Sequence, residues 1–407
     1  MDILIEEYEE NIWSVAIDNK RIEGLEIDPP SEKIRYGSIF YAKVAKIDKA
    51  LDAAFMDLDG ENTGILYNRD IRYKDKSGKT HKGGERAIGK ILKAGDLIPV
   101  QAKTSYITTH DTDPWYSEDK TAQVSMDITL PGRYLIYCTT MDKNRISKRI
   151  KRKEISEQLK EMLNALGKMK GFILRAAGVD LQTEILHREA GLLQEMWNGI
   201  QQHFVGNDPR LIALGPDAIQ RTLSDQAIFP IERIEVVTMD HFTQAEEWCQ
   251  IYAPDLMTKI IPVELTDATL DLALLEHRDI LSQIEGLFQD YVLLRHGGNI
   301  IIQETAALTA IDINSGSDKR SNLAINIDAA HEIARQMRLR NLGGIVVVDF
   351  LKINKTDQEA LLKALNDVTY SDPCTVQIHG MTKLGLIEIT RKRRTAPLDE
   401  RFKGIAF

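Results

Sequence analysis

IIIQETAALTAIDINSG at residues 300–316 and GGIVVVDF at residues 343–350 are the stretches whose reading decides the fold. Each contains an apolar run followed by an aspartate, Asp312 in the first and Asp349 in the second, and a segment with helical spacing separates them. Strand, helix, strand is the pattern of a βαβ unit. In a parallel sheet the carboxyl ends of the strands form the crevice in which ligands bind, so the crossover brings Asp312 and Asp349 near each other. Within LTAIDIN a period of two puts Leu308, Ala310, Asp312 and Asn314 on one face and Ile311 and Ile313 on the other. The helix NIDAAHEIARQMRLRN turns Ile327, Ala330, Ile333 and Met337 inward and carries Arg335, Arg338 and Arg340 toward the end that favours positive charge. Gly343 and Gly344 stop it. The run IVVV suits a strand buried on both faces, with Asp349 emerging where that burial ends.

Two close carboxylates with no lysine or histidine beside them are poorly suited to sharing a proton at neutral pH and well suited to a hard cation. Magnesium prefers oxygen ligands and keeps several waters. Two aspartates, with Asn314 close by, therefore leave positions for a phosphate and an attacking water, which is the chemistry of phosphodiester hydrolysis. Spacing alone leaves a second reading open, because aspartate commonly caps strand ends and turns.

Working outward, 407 residues exceed one ordinary core and call for two to four domains of about 100–200 residues each. The start, MDILIEEYEENIWSVAIDNK, is acidic and lacks the basic and then apolar run of a signal peptide, and no stretch approaches the roughly 18 apolar residues of a membrane helix. Cys138, Cys249 and Cys374 are far apart and form no CxxC pair, which argues for a reducing compartment and against zinc, so a soluble cytoplasmic protein is expected. The net charge is −9, yet KNRISKRIKRK at 143–153 and RKRR at 391–394 are local basic runs. Such runs are either solvated surface or phosphate contacts.

Residues 2–17 alternate like the opening hairpin of a sheet. From Gly37 to about residue 126, short strands with turn signals indicate a small β-barrel, interrupted by RYKDKSGKTHKGGERAIGK, read as a mobile loop, and by TTHDTDPWYSEDK. Aromatic rings among lysines suit unpaired nucleic acid, since rings stack on bases while lysines follow the backbone. Phe40 and Phe55 can equally be barrel core. Arg175 stands at the end of the strand Phe172–Leu174, where its planar fork could meet a phosphate or simply reach from a strand end to solvent. His241, His277 and the other histidines make no metal-ligand pairs at helical spacing and read as structural or surface. No Walker A, GxSxG or HExxH motif occurs.

Two resemblances rest on these residues. Gly37, Tyr41, Lys43, Lys46, the AAF of Ala53–Phe55 and GENTGIL at 60–66 resemble an S1 RNA-binding domain, an oligonucleotide-binding (OB) fold. AALTAIDINSG, NIDAAHEIARQMRLRNLGGIVVVDF and IHGMTKLGLIEITRKR are very similar to the catalytic domain of the ribonuclease E/G family, with similarity of lower density from residue 1 to about 397. That resemblance implies an α/β (mixed α+β) multidomain chain. An RNase H-like domain in two parts (1–35 and 222–287) is interrupted by an S1 domain (36–126) and a 5′-sensor domain (127–221). A DNase I-like catalytic domain (288–397) and a tail (398–407) follow. It implies a magnesium-dependent endoribonuclease of single-stranded RNA that leaves 5′-phosphate products, acting in RNA processing and mRNA decay. Asp312 and Asp349 match the family's magnesium ligands and Asn314 its assisting asparagine. Arg175, followed by Ala176, matches the arginine that reads a 5′-monophosphate, and Phe55 and Lys120 match S1 positions that hold RNA, beside Tyr41 and Lys43.

The chain also departs from the family pattern. Ala176 stands where the family has threonine, so one phosphate hydrogen bond is missing and 5′-end sensing is expected to be weakened. Lys352 replaces an aspartate, the loop GSDKRSNLAI after Asp312 is short, and Ile65 replaces a phenylalanine that partners Phe55. The zinc-link CPxC motif is absent, so a zinc-linked dimer is not expected, although another homo-oligomer is open. A rival expectation is a non-catalytic S1-type RNA-binding protein derived from the same family.

Overall fold

A computed structural model describes residues 1–75, 78–107, 121–150, 157–179, 181–264 and 272–402. It divides into two compact units, one of Met1–Pro30, Ile231–Phe242 and Lys259–Phe407, the other of Ser31–Pro230 and Thr243–Thr258. The protein is a mixed α/β chain with several separate sheets. Among the described residues no helix is long and apolar enough to cross a membrane.

The first unit holds two sheets. One opens with the meander Asp2–Tyr8, Asn11–Asp18 and Arg21–Asp28, to which Arg233–Val236 and Ile260–Pro262 add in parallel. The expected hairpin is therefore the first part of a five-stranded sheet. The other contains the opening motif. Its elements are β1 (Tyr291–Leu293), β2 (Asn299–Glu304), β3 (Thr309–Asn314), helix α1 (Asn322–Leu339), β4 (Gly344–Asp349), helix α2 (Lys355–Thr369), β5 (Val376–Met381) and β6 (Ile387–Arg391). The order across the sheet is β1-β2-β3-β4-β6-β5, and β3 and β4 are parallel neighbours joined through α1.

Among the described residues, helices cover one face of this sheet. Ile311, Ile313, Val346 and Val348 are buried against Ile325, Ala329, Ala330, Ile333 and Met337 of α1 and Leu361 and Leu365 of α2. Burying each of the valine, leucine, isoleucine and methionine side chains contributes about 1.5–3 kcal/mol. The expectation that IVVV is buried on both faces is corrected here, because Ile345 is 49% exposed and Val347 only half-buried. A β-branched run reads the same whether one or two faces are covered, and both helices lie on one side. The inward stripe of α1 starts at Ile325, while Ile327 is only half-buried. The helix ends before the expected glycines, turned two residues ahead of Gly343 by Asn341, whose φ of 51° is the left-handed conformation that asparagine tolerates.

The α1 arginines do more than complement the helix dipole. Arg335 donates to the Ile22 carbonyl at 2.7 Å and to Glu332 at 2.8 Å, Arg338 pairs with Glu23 at 3.2 Å, and Arg21 also binds Glu332. The back of α1 is thus tied to the strand Arg21–Asp28 of the first sheet.

In the second unit, Ile39–Asp48, Ala53–Asp57, Thr63–Tyr67, Ala122–Ser125 and Leu97–Ala102 close into a five-stranded barrel, because Ile39–Asp48 pairs with both Ala53–Asp57 and Leu97–Ala102. Phe40, Val44, Met56, Leu58, Leu66 and Val100 fill it. The segment after Tyr67, expected as a mobile loop, instead holds a hairpin of Arg72–Lys74 with Thr80–Lys82. Polar anchoring replaces apolar alternation there. Tyr73 stacks on His81 with centroids 5.5 Å apart, and the Asn68 amide donates to the Arg86 carbonyl at 2.7 Å and to Asp52. TTHDTDPWYSEDK, residues 108–120, lies outside the described residues. A further sheet of Thr129–Pro131, Leu135–Cys138, Phe172–Leu174 and Arg145–Ile146 packs on the helix Thr183–Gln201.

Candidate paired-aspartate site

The alternation of β3 places Asp312 and Asn314 on the open face of the sheet, and β4 places Asp349 there too. In the parallel register Asp312 is the direct partner of Asp349, so the two carboxylates rise from neighbouring strands about 4.8 Å apart. Both are exposed. Asn314 donates from Nδ2 to Asp312 Oδ2 at 3.0 Å and to Asn299 Oδ1 on β2 at 3.3 Å. This fixes the Asp312 carboxylate while leaving oxygen lone pairs available. Among the described residues no group of three or more His, Cys, Asp or Glu is placed to hold a metal ion.

The loops that flank the pair are braced. After β3, Arg320 bridges Asp318 at 2.7 Å and Asp328 at 2.6 Å, and the Ser321 hydroxyl accepts the Ala324 N–H at 3.3 Å to cap α1. After β4, the fully buried Asn326 of α1 accepts the Leu351 N–H at 3.0 Å and donates to the Leu351 carbonyl at 2.8 Å, and Asn322 donates to the Lys352 carbonyl at 2.9 Å. Lys352 itself is exposed on this pinned loop. Asn299, Asn322 and Asn326 were not singled out from the sequence. The available signal was an amide on the apolar stripe of α1 at 326. At the amino end of β4, Gly344, Ile345, Thr375, Gln377, Thr390, Arg391 and Lys392 line an open hollow of about 400 Å³.

The RKRR run is not the phosphate-facing patch its composition suggested. Arg391 is 3% exposed and pairs with the equally buried Asp372 at 3.0 Å, Arg394 lies 3.5 Å from Glu26, and Arg393 donates to the Gly343 carbonyl at 3.1 Å. Only Lys392 of the four is exposed. In the other run Lys143, Arg145 and Lys148 are exposed, and residues 151–153 lie outside the described ones.

On the outer face of the barrel, half-buried Phe55 is the register partner of Lys46 on one side and Ile65 on the other. Lys43 is half-buried on the same strand as Lys46. Tyr41 is drawn elsewhere, its ring 5.8 Å from Phe204, while Phe40 is core. Lys120 lies outside the described residues.

Arg175 is engaged by the protein itself. It donates to the Gly132 carbonyl at 2.6 Å, to Ser224 Oγ at 2.6 Å and to the Ser224 carbonyl at 3.0 Å, with the Asp225 carboxylate 3.7 Å away. Ala176 opens a short turn and packs against the neighbouring core. The Gly132–Leu135 segment is held from its other side by Glu189, which accepts the N–H groups of Arg133 and Leu135 at 2.7 Å and of Tyr134 at 3.0 Å. Burial pushes the Glu189 carboxyl above its ordinary value, against the downward pull of those hydrogen bonds.

Paired carboxylates at the carboxyl ends of two central strands, on the open face of the sheet beside an orienting amide, and a barrel in the other unit define a mixed α/β protein with an oxygen-donor site. Residues 129–394 match the model of the ribonuclease E/G family. The chain is 31% identical over 402 residues to ribonuclease E of Haemophilus influenzae, covering 96% of this chain and 41% of that protein. It is 29% identical over 391 residues to ribonuclease G of Salmonella typhimurium and 28% to that of Escherichia coli, covering 93% of this chain and 76% of each. The chain belongs to the ribonuclease E/G family.

Proposed function

We propose that the chain is a magnesium-dependent endoribonuclease that cuts unpaired RNA, leaves 5′-phosphate products and serves RNA processing and mRNA decay in the cytoplasm. The observation that carries this reading is the Asp312–Asp349 register pair with Asn314 hydrogen-bonded to Asp312. The arrangement fits a hard cation, because two exposed carboxylates stand at one register position on adjacent strands and Asn314, which donates to one Asp312 oxygen, leaves lone pairs available. Asp312 and Asp349 would hold the ion, which when bound supplies a polarised phosphoryl oxygen and an activated water. Asn314 keeps the Asp312 carboxylate oriented, and the Asn326 clamp keeps the main chain after Asp349 in place.

In the same reading the barrel within 36–126 is an S1 domain, where Phe55 stacks on a base and Lys43, Lys46 and Lys120 follow the strand. Residues 1–35 and 222–287 form an RNase H-like domain, 127–221 the 5′-sensor and 288–397 the DNase I-like catalytic domain. Arg175, already held by Gly132, Ser224 and Asp225 and followed by Ala176, responds weakly to a 5′-phosphate.

Purified protein is incubated with single-stranded RNA bearing a 5′-monophosphate or a 5′-triphosphate, with Mg²⁺ or EDTA, beside Asp312→Asn and Asp349→Asn. Cleavage requiring Mg²⁺ and both aspartates is expected. Cleavage that persists in both variants overturns the metal assignment, and RNA binding with no cleavage under any condition identifies a non-catalytic binding protein.

A further inference from the structure

The strand β1 forms one edge of the catalytic sheet, and its alternation is unusual for a surface strand. Val292 turns toward the core, while Tyr291 and Leu293 turn outward, 55% and 73% exposed. Cross-strand register fixes what lies beside them. Tyr291 pairs with Ile301, Ile301 with Asp312 and Asp312 with Asp349, so the ring stands in the same row as the two aspartates, two strands or roughly 10 Å from Asp312. Leu293 pairs with Asn299 and Asn299 with Asn314, which sets it in the row of the orienting amide.

The β1–β2 turn leaves this same end of the sheet. It is closed by Leu294 N–H to the Gly298 carbonyl at 2.8 Å, tied to the loop after β3 by Ser317 N–H to the Gly297 carbonyl at 3.2 Å, and presents Arg295 and His296 to solvent. Single exposed apolar residues need no explanation. A ring, a leucine and a half-buried isoleucine contiguous with a carboxylate row, with an arginine at the end of the strand, form a more specific surface.

We propose that Tyr291, Leu293 and Ile301 form a stacking subsite for one unpaired base beside the aspartate pair, with Arg295 meeting a neighbouring phosphate. The inference rests on the endoribonuclease reading and names how that site grips its strand. A base offers a flat π face to the ring regardless of its identity, and the guanidinium offers a planar fork to the phosphate, so the subsite positions RNA with little sequence preference. Single-stranded RNA is the occupant that the continuity with the aspartate row favours over another protein surface.

The test measures binding in EDTA, where metal-dependent turnover is absent, of labelled ten-nucleotide single-stranded RNAs that each carry one abasic sugar at a different position. The full chain is compared with Tyr291→Ala, Tyr291→Phe and Arg295→Ala. Tyr291→Ala is expected to weaken binding of the intact strand roughly 5- to 100-fold and to become indifferent to the abasic sugar at one position, to which Tyr291→Phe remains sensitive. Arg295→Ala should lower the slope of log affinity against log salt by about one ion. With Mg²⁺, Tyr291→Ala should raise KM by more than it lowers kcat. Unchanged affinity and an unchanged abasic profile in Tyr291→Ala overturn the subsite. So does a weakened affinity accompanied by altered sedimentation of the free protein, which marks a contact between copies. Position-specific abasic effects without any cleavage in Mg²⁺ would support the subsite and overturn the endoribonuclease reading. Normal cleavage indifferent to Tyr291 would do the reverse.

Discussion

Arg391→Met separates the two roles that a basic run can have. The Arg391 guanidinium is enclosed, donating from Nε to Asp372 at 3.0 Å and from Nη1 to the Asn341 side chain at 2.9 Å and the Leu342 carbonyl at 3.0 Å. Asn341 in turn donates to Thr395 and Ala396, so the cluster locks the end of α1 onto β6 and the chain beyond it. Methionine keeps the apolar stem and removes the charge, leaving the Asp372 carboxylate buried with the Cys374 N–H at 2.7 Å still donating to it. Removing one partner of a buried pair costs about 3–5 kcal/mol, against a total stability of about 5–15 kcal/mol for a typical domain. Urea unfolding followed through Trp13, which is buried in the same unit, should show that loss. Adding Asp372→Asn should recover part of it, because the orphaned charge is then gone. In conditions where the variant is folded, the salt dependence of RNA binding should match the parent. A variant of parental stability whose salt slope falls by about one ion would refute this reasoning and return Arg391 to the phosphate surface.

Asp225→Asn removes a carboxylate 3.7 Å from Arg175, and a pair at about that separation near a protein surface interacts by roughly 4 kcal/mol. The ratio of cleavage rates on 5′-monophosphate over 5′-hydroxyl RNA should rise about tenfold, and a ratio already near a hundred in the parent chain contradicts the self-occupied arginine. Stability at low pH should depend on Asp2. Burial acts to raise its carboxyl, but hydrogen bonds and charge from Arg233 and Arg278 outweigh this and hold it below the ordinary value. The contribution is therefore present above the unfolded value of about 4 and is lost as pH falls through the folded one. The stability difference between parent and Asp2→Asn should shrink below about pH 4, and a difference that is flat with pH dismisses the linkage.

The strand–helix–strand core and the approach of Asp312 to Asp349 were legible because an apolar alternation, a helical stripe and two acids at matching places leave few topologies open. Coverage of the sheet was not legible. IVVV carries no polar residue to betray an open face, and the exposure of Ile345 follows from where α1 and α2 pack rather than from its own identity. The RKRR run misled through its count of charges. Strand alternation, which sends Ile387, Ile389 and Arg391 to the same side, was the better guide. The hairpin after Tyr67 escaped because an asparagine and a tyrosine–histidine stack hold it, and polar anchors leave no periodic trace.

The site also owes its rigidity to residues that no pattern of acids reveals. The proposed cation role asks that each carboxylate of the pair be held, and the two are held differently. Asp312 is oriented directly, by Asn314 two residues along its own strand, and that amide is in turn anchored on β2. Asp349 is set indirectly, through a main chain gripped at Leu351 by a buried asparagine of the crossover helix. The helix that makes β3 and β4 parallel therefore also fixes the loop leaving the second aspartate, and the buried amide at 326 has its hydrogen bonds satisfied only when that loop is in place. Topology and site geometry are coupled through one side chain, which explains why a polar residue stands on the apolar stripe of α1.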